Sequence, residues 1–396
     1  MTGSPTVVLV AASSNQAKLL AGLVDELRAA GTDPVLVAAD HRRRSSDSAE
    51  RALARLEVPF VRYPFRDVAV TSVLPGRRKF RTPARRPVLE GWLRGLAADA
   101  VVVGNDSRPV AVPLLAAARA CGARTVLVQD GVRPVRRAGA PAPVARRRLL
   151  SARYRRYGHG GCDRVAVIGE RDAAALVADG VPAGTVEVTG SPAFDRYARA
   201  EPVPAAGPVG ASPHVVYIAQ TLEQLDPATM AAHLGDVAVA VAAAGGRLTV
   251  KAHPRDASFD EVASRLRQAR PEVEAVRDVD PEALLRSASL VLTPFSTMSL
   301  EAMILGVPVA LVDSLPVPWT LDLGDAVPHV ATTADLDALL GRVLGRPHAH
   351  AELVRAQCDA LAWACRPVDG RATARVAAAV AREAHAAGDR SGRAQP

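Results

Sequence analysis

Three hydroxyls and a carboxylate crowd into the stretch SLVLTPFSTMSLEAMILGVPVALVD at 289–313: Ser296, Thr297, Ser299 and Glu301. Hydroxyl donors beside the unpaired amides of a helix start suit phosphate oxygens. Glu301 lies four residues after Thr297, one turn on and on the same helix face. A carboxylate there accepts hydrogen bonds from a ribose while the turn holds the phosphates. A capped helix with a solvated glutamate is the plainer reading of the same residues. A second group is KAHPRD at 251–256, where His253 is stiffened by Pro254 and flanked by Lys251 and Arg255. A histidine so placed can donate a hydrogen bond to a leaving phosphate, and the neighbouring cations favour that anion. Taken alone it also reads as a loop histidine among solvated neighbours.

A third set lies in the first half, after apolar runs: Ser13-Ser14-Asn15, Asn105-Asp106-Ser107 and Gln129-Asp130-Gly131. Asp130 is the candidate base for a hydroxyl acceptor, with Asp106 next. Gly131 would let a substrate come close to the backbone. Ser13, Ser14, Asn15, Asn105, Asp106 and Gly131 are accordingly the acceptor-side candidates.

The elements that must carry these residues follow from periodicity. Short apolar runs at 6–12, 34–39, 100–103, 124–128, 164–168 and 186–189 read as buried parallel strands alternating with helices, and a second alternation runs from 215 to 312. Leu290–Leu292 is a strand, Thr293-Pro294-Phe295 breaks it, and Ser296 or Thr297 caps a helix ending near Ile304. In parallel α/β sheets ligands bind beyond the carboxyl ends of strands, which is where all three sets fall. Residues 199–213 (RAEPVPAAGPVGASP) have the composition of a linker. The expected organisation is a first domain over 1–198, a second over 213–370, a C-terminal helix over 371–387 packing back toward the first, and a disordered tail over 388–396.

Composition sets outer limits. At 396 residues, 49% hydrophobic and 23% charged, the chain suits a two-domain globular enzyme. Its four cysteines show neither CxxC spacing nor histidine pairing, so neither a zinc site nor a disulfide framework is indicated. No apolar run approaches a membrane span and no signal-like segment opens the chain, so a cytoplasmic protein is expected. The net charge of +8 is concentrated in Arg77-Arg78-Lys79-Phe80-Arg81 with Arg85-Arg86, and in 133–156. Such clusters favour an anionic partner, including peripheral contact with an anionic membrane, or are ordinary solvated loops. Nucleic acid is not expected, because no aromatic–basic platform accompanies them.

On KAHPRD, the S/T-rich turn with its Glu-Ala helix, and QDG at 129–131, the chain resembles GT-B-fold transferases. The group is that of bacterial sialyltransferases, polysialyltransferases, capsule Kdo transferases and CDP-glycerol glycerophosphotransferases. The resemblance implies an α/β fold of two Rossmann-like parallel-sheet domains facing across a cleft. It implies a cytidine-nucleotide donor held by the HP and S/T motifs, and a base supplied by the acidic-Gly motif, here Asp130 and Gly131. The segment 161–195 also resembles UDP-N-acetylglucosamine 2-epimerases. Against their Ser-Gly-Gly-x-Gln-Glu-Glu turn, this chain has Ser296 and Thr297 for the glycines and Leu300 for the first Glu, and Gln129 replaces a further Glu. Glutamine has no titratable proton, which disfavours an epimerase.

The expectation is therefore a metal-independent, inverting glycosyltransferase or polyol-phosphate transferase of cell-envelope or natural-product type. It needs no cofactor. Its donor, CMP- or CDP-linked in preference to UDP-linked, sits on Lys251, His253, Arg255, Ser296, Thr297, Ser299 and Glu301; Asp130 and His253 are the catalytic pair. The alternatives are a sugar-nucleotide epimerase using the same pocket, and a catalytically silent nucleotide-sugar-binding partner protein.

Overall fold

The computed structural model describes residues 3–40, 48–65, 85–137, 157–203, 212–220, 225–253, 256–365 and 368–392. The chain divides into two compact units: Met1–Asp130, Val144–Ala198 and Cys365–Pro396 form unit 1; Gly131–Pro143 and Arg199–Ala364 form unit 2.

Unit 1 is built on β1 (Thr6–Ala11), β2 (Asp33–Ala38), β3 (Val61–Arg62), β4 (Ala98–Val103) and β5 (Arg124–Val128). After the short β6 (Val135–Arg136), which leaves this sheet, β7 (Arg164–Val167) and β8 (Val186–Val188) complete it. The order is β3-β2-β1-β4-β5-β7-β8, and every pairing is parallel. Runs such as VVLVA in β1 are buried on both faces, as strands covered by helices on each side require. Strand order reverses between β1 and β4, the topological switch where such sheets bind ligands.

The helix Ala372–Gly392 covers one face of this sheet. Val376, Ala377, Val380 and Ala384 pack with Val7, Leu9, Val102 and Val126. It runs on to Gly392, past the 387 expected from sequence. Asp195 accepts the backbone N–H groups of Ala372 (2.9 Å) and Thr373 (2.7 Å), Arg375 donates to the Thr189 carbonyl, and Glu383 receives Arg124 and Arg164.

Unit 2 contains β9 (His214–Ile218), β10 (Arg247–Lys251), β11 (Glu274–Val276), β12 (Leu290–Thr293), β13 (Val309–Val312), β14 (Trp319–Thr320) and β15 (His329–Val330). Its parallel sheet has the order β11-β10-β9-β12-β13-β15, with the switch between β9 and β12. There the Thr293 hydroxyl donates to the Ile218 carbonyl at 3.0 Å, tying the two carboxyl ends together. Leu290, Leu292, Tyr217, Val250 and Leu234 lie in one core cluster beneath it.

Residues 131–137 belong to unit 2, not to the first domain where the sequence places them. The reason is pairing: β6 runs antiparallel to β14, and Arg137 donates its backbone N–H to the Pro318 carbonyl at 2.9 Å. The helix Pro347–Ala364 is a further element that periodicity does not disclose.

Candidate functional site

In unit 2 the hydroxyl turn forms as its sequence demands. β12 ends at Thr293, Pro294 stops the ladder, and the helix Met298–Ile304 begins at the cap position Thr297. The Ser296 hydroxyl accepts the Met298 N–H at 3.3 Å. Thr297 uses its hydroxyl otherwise, accepting the Val132 backbone N–H at 3.0 Å. Ser299 is fully buried, and its hydroxyl donates to the Ser296 carbonyl at 2.6 Å. It fastens the turn from inside and offers no donor to a ligand. Ser296, Thr297 and Glu301 are half-buried and remain the outward-facing members of the group.

Lys251 closes β10 and is buried, its Nζ donating to the Ala252 carbonyl at 3.0 Å. Burial pushes its ammonium pKa down, while the carboxylates of Asp278 and Glu301 push it back up. Lys251 and Glu301, remote in sequence, are thus electrostatic neighbours. His253 follows, half-buried, with its carbonyl accepting the Asp256 N–H at 3.0 Å. Arg255 lies outside the described residues.

Sequence reasoning passes over one more pair on this sheet. Asp313 follows β13, and its Oδ2 is 2.7 Å from Nδ1 of His329. Hydrogen bonding to Asp313 raises the His329 pKa above its ordinary value. Arg137 donates through its guanidinium to the Asp313 carbonyl.

Unit 1 brings together the ends of β1, β4 and β5. Ser13 caps the helix Ser14–Ala21, accepting the Gln16 N–H at 3.3 Å; Ser14 opens that helix and Asn15 is exposed. Gln16 is buried and is the residue that unites the edge. Its Oε1 accepts the Ala12 N–H at 2.9 Å and its Nε2 donates to Asp130 Oδ2 at 2.6 Å. It reaches Asp130 by crossing Gly104, where a Cβ would fall 2.7 Å from the Gln16 side chain. The only sequence signal for Gln16 was a polar residue in the first turn of a helix just beyond a buried strand.

Asn105 and Asp106 have local duties. Asn105 Oδ1 accepts the Ser107 N–H (3.0 Å) and hydroxyl (2.8 Å), closing the turn. Asp106 is buried and accepts the N–H groups of Gly158 (3.0 Å) and Gly160 (2.6 Å), so it clamps a loop. Burial raises its pKa, and those two donors pull it back. Gln129 is likewise committed: Nε2 donates to Asp172 at 2.5 Å and Oε1 accepts the Ile168 N–H at 2.9 Å. Asp172 is paired with the buried Arg171 at 2.9 Å. Gly131, expected on the acceptor side, lies in unit 2 against Thr297.

No known family profile and no curated protein match the chain. Solved structures do. A candidate UDP-N-acetylglucosamine 2-epimerase from Listeria monocytogenes shares 17% identity over 97% of both chains, with a TM-score of 0.67. A UDP-GlcNAc 2-epimerase from Neisseria meningitidis, solved with UDP-GlcNAc bound, shares 14% over 93% of this chain and 97% of its own, with a TM-score of 0.59. A glycosyltransferase from Rickettsia africae shares 11% over 96% and 99%, also with a TM-score of 0.59. The fold is therefore of the GT-B type, two Rossmann-like parallel-sheet units. At these identities the likeness is one of fold.

Proposed function

We propose that the protein is a nucleotide-sugar enzyme of the group-transfer kind, with unit 2 carrying the donor and unit 1 the base. Ser296, Thr297, His253 and Lys251 hold the donor phosphates, Glu301 holds the ribose, and Asp130 removes the acceptor hydroxyl proton. The observation that carries this reading is the division of labour after β5. Gln129 is spent inside the fold, while its neighbour Asp130 is half-buried at the carboxyl edge with one oxygen oriented by Gln16. That provides one placed carboxylate, which suits deprotonation of a hydroxyl better than a two-sided proton shuttle. An epimerase is the second reading, favoured by the fold likeness to two such structures. The finer kinship with sialyl-, Kdo- and CDP-glycerol-type transferases, and a cytidine base in the donor, belong to the first reading.

A thermal-shift panel of CMP, CDP, UMP, UDP and GDP tests the donor site. A ligand at a hundred times its dissociation constant adds about 2.7 kcal/mol. Asp130→Asn tests the base. The new amide turns its oxygen to Gln16 and presents a donor where the second carboxylate oxygen stood. Nucleotide binding should persist while transfer falls by a factor of about 10² to 10⁴. Transfer within a few-fold of wild type would place the base elsewhere. Conversion of UDP-GlcNAc to its C2 epimer without an acceptor would establish the second reading, and a protein stabilised by nucleotide yet inert would be a silent binding partner.

A further inference from the structure

We propose that Gly131 and Val132 are positioning residues for Thr297, fixing its oxygen so that its hydroxyl hydrogen is presented to an acceptor such as a phosphoryl oxygen. The proposal rests on the donor-site reading of the S/T turn.

A threonine hydroxyl has one hydrogen and two lone pairs. Val132 fills a lone pair of Thr297 with its backbone N–H at 3.0 Å. The hydroxyl does not cap its own helix, and among the described residues its hydrogen has no acceptor. What remains is a half-buried O–H donor whose oxygen is fixed from behind. A donor so prepared matches phosphoryl oxygens, which accept only.

Gly131 makes the contact possible. It is not among the glycines with positive φ, so its backbone would tolerate a side chain. The obstacle is space: a Cβ on Gly131 would lie 2.7 Å from Thr297 Oγ1. The clash is not with the far end of a flexible chain, since a β-branched side chain moves Oγ1 only by changing χ1. That rotation would take the oxygen off the Val132 N–H and redirect the hydroxyl.

Nor can residues 131 and 132 back away at little cost. The strap they belong to is pinned by pairing of β6 with β14, by the Arg137 N–H on Pro318 and by the Arg137 guanidinium on the Asp313 carbonyl. Sequence alone suggests that Gly131 accommodates an acceptor substrate; the geometry points instead to service at the phosphate turn.

The test uses the full chain and titrates UDP and CMP calorimetrically into wild type, Gly131→Ala, Thr297→Ala and the double variant, with melting curves alongside. A hydrogen bond to a charged group corresponds to roughly a ten- to hundredfold change in affinity. Gly131→Ala and Thr297→Ala should each weaken binding by about that much. The double variant should bind no more weakly than Thr297→Ala, because removing Oγ1 makes room for the new methyl. Wild-type affinity in Gly131→Ala, or losses that add in the double variant, overturns the proposal while leaving the donor site standing if Thr297→Ala is weak. Absence of UDP and CMP binding in the wild type overturns both. If Gly131→Ala does not fold, recovery of folded protein on adding Thr297→Ala supports the contact, and no recovery refutes it.

Discussion

Glu383 offers a perturbation whose size can be worked out from the structure. It is 4% exposed and sits on the helix Ala372–Gly392. Oε2 receives Nε and Nη2 of Arg124 at 2.8 and 2.6 Å; Oε1 receives Nε and Nη2 of Arg164 at 3.1 and 3.0 Å. Removing one partner of a buried charge cluster typically costs about 3–5 kcal/mol. Two features reduce that here. Each arginine side chain is 25% exposed, and each keeps another carboxylate, Asp163 at 2.5 Å for Arg124 and Glu187 at 3.7 Å for Arg164. Glu383→Ala should therefore destabilise unit 1 by about 2–3 kcal/mol, or a melting shift of roughly 4–12 °C at this size. Glu383→Gln, which keeps the shape and loses the charge, should fall between it and wild type. Trp92 reports unit 1 alone once Trp319 and Trp363 are replaced by Phe, so urea unfolding can be followed there by fluorescence. A loss below about 0.5 kcal/mol would mean that the cluster behaves as an exposed ion pair and that the reasoning from burial fails.

Raised by Asp313, the His329 pKa stabilises unit 2 at pH values below the unfolded-state value, and that contribution is lost as pH rises through the folded pKa. With the ring 41% exposed it should stay under about 1 kcal/mol; His329→Gln should flatten the pH dependence of unit 2 melting as pH rises above the ordinary histidine pKa of about 6.5, and an unchanged slope would refute it. Gln357 accepts the Val309 N–H at 2.9 Å and donates to the Val309 carbonyl at 2.7 Å. Gln357→Leu should therefore cost about 2–4 kcal/mol in denaturant unfolding, and a neutral result would show that water replaces both bonds. Replacing Arg77, Arg78, Arg81, Arg85 and Arg86 by Ser should reduce co-sedimentation with anionic vesicles at low salt, fading as the screening length falls to about 8 Å. Sedimentation identical to the parent would leave them as solvated charge. The first three of these lie outside the described residues, as do Lys79 and the side chain of Arg85, while Arg86 pairs with Glu90 at 2.7 Å. Among the described residues no helix is long and apolar enough to cross a membrane.

Strands were legible in the sequence where burial on both faces writes an unbroken apolar run, as in β1, β5 and β12. Helices were legible where one face is apolar. The stretch after β1 forms two helices, Ser14–Ala21 and Val24–Ala29, interrupted at Gly22 and Leu23. The helix Pro347–Ala364 is not legible because its buried positions are His350, Gln357 and Ala364, two of them polar; Gln357 bonds to the Val309 backbone and His350 reaches the Ser289 carbonyl through Nε2. The β6–β14 pairing escaped for a different reason: a two-residue strand has no period, and its partner lies far along the chain. Within the candidate site, residue types alone do not tell which groups are already spent. Ser299 and Asp106 carry the same donors and acceptors as Ser296 and Asp130; only the fold reveals that they are bonded inward.

Unit 1 is discontinuous, and that ordering has a cost during synthesis. The face of its sheet formed by Val7, Leu9, Val102 and Val126 is covered by Val376, Val380 and Ala384, residues that follow the whole of unit 2 in the chain. At about 5–20 residues per second, the ribosome takes about 10–35 s to travel from residue 198 to residue 372. During that interval a broad aliphatic surface stands open on the nascent chain, far longer than hydrophobic collapse takes. Unit 2 can complete its own core first. A chain cut short near residue 370 would leave that surface uncovered and should be prone to aggregation.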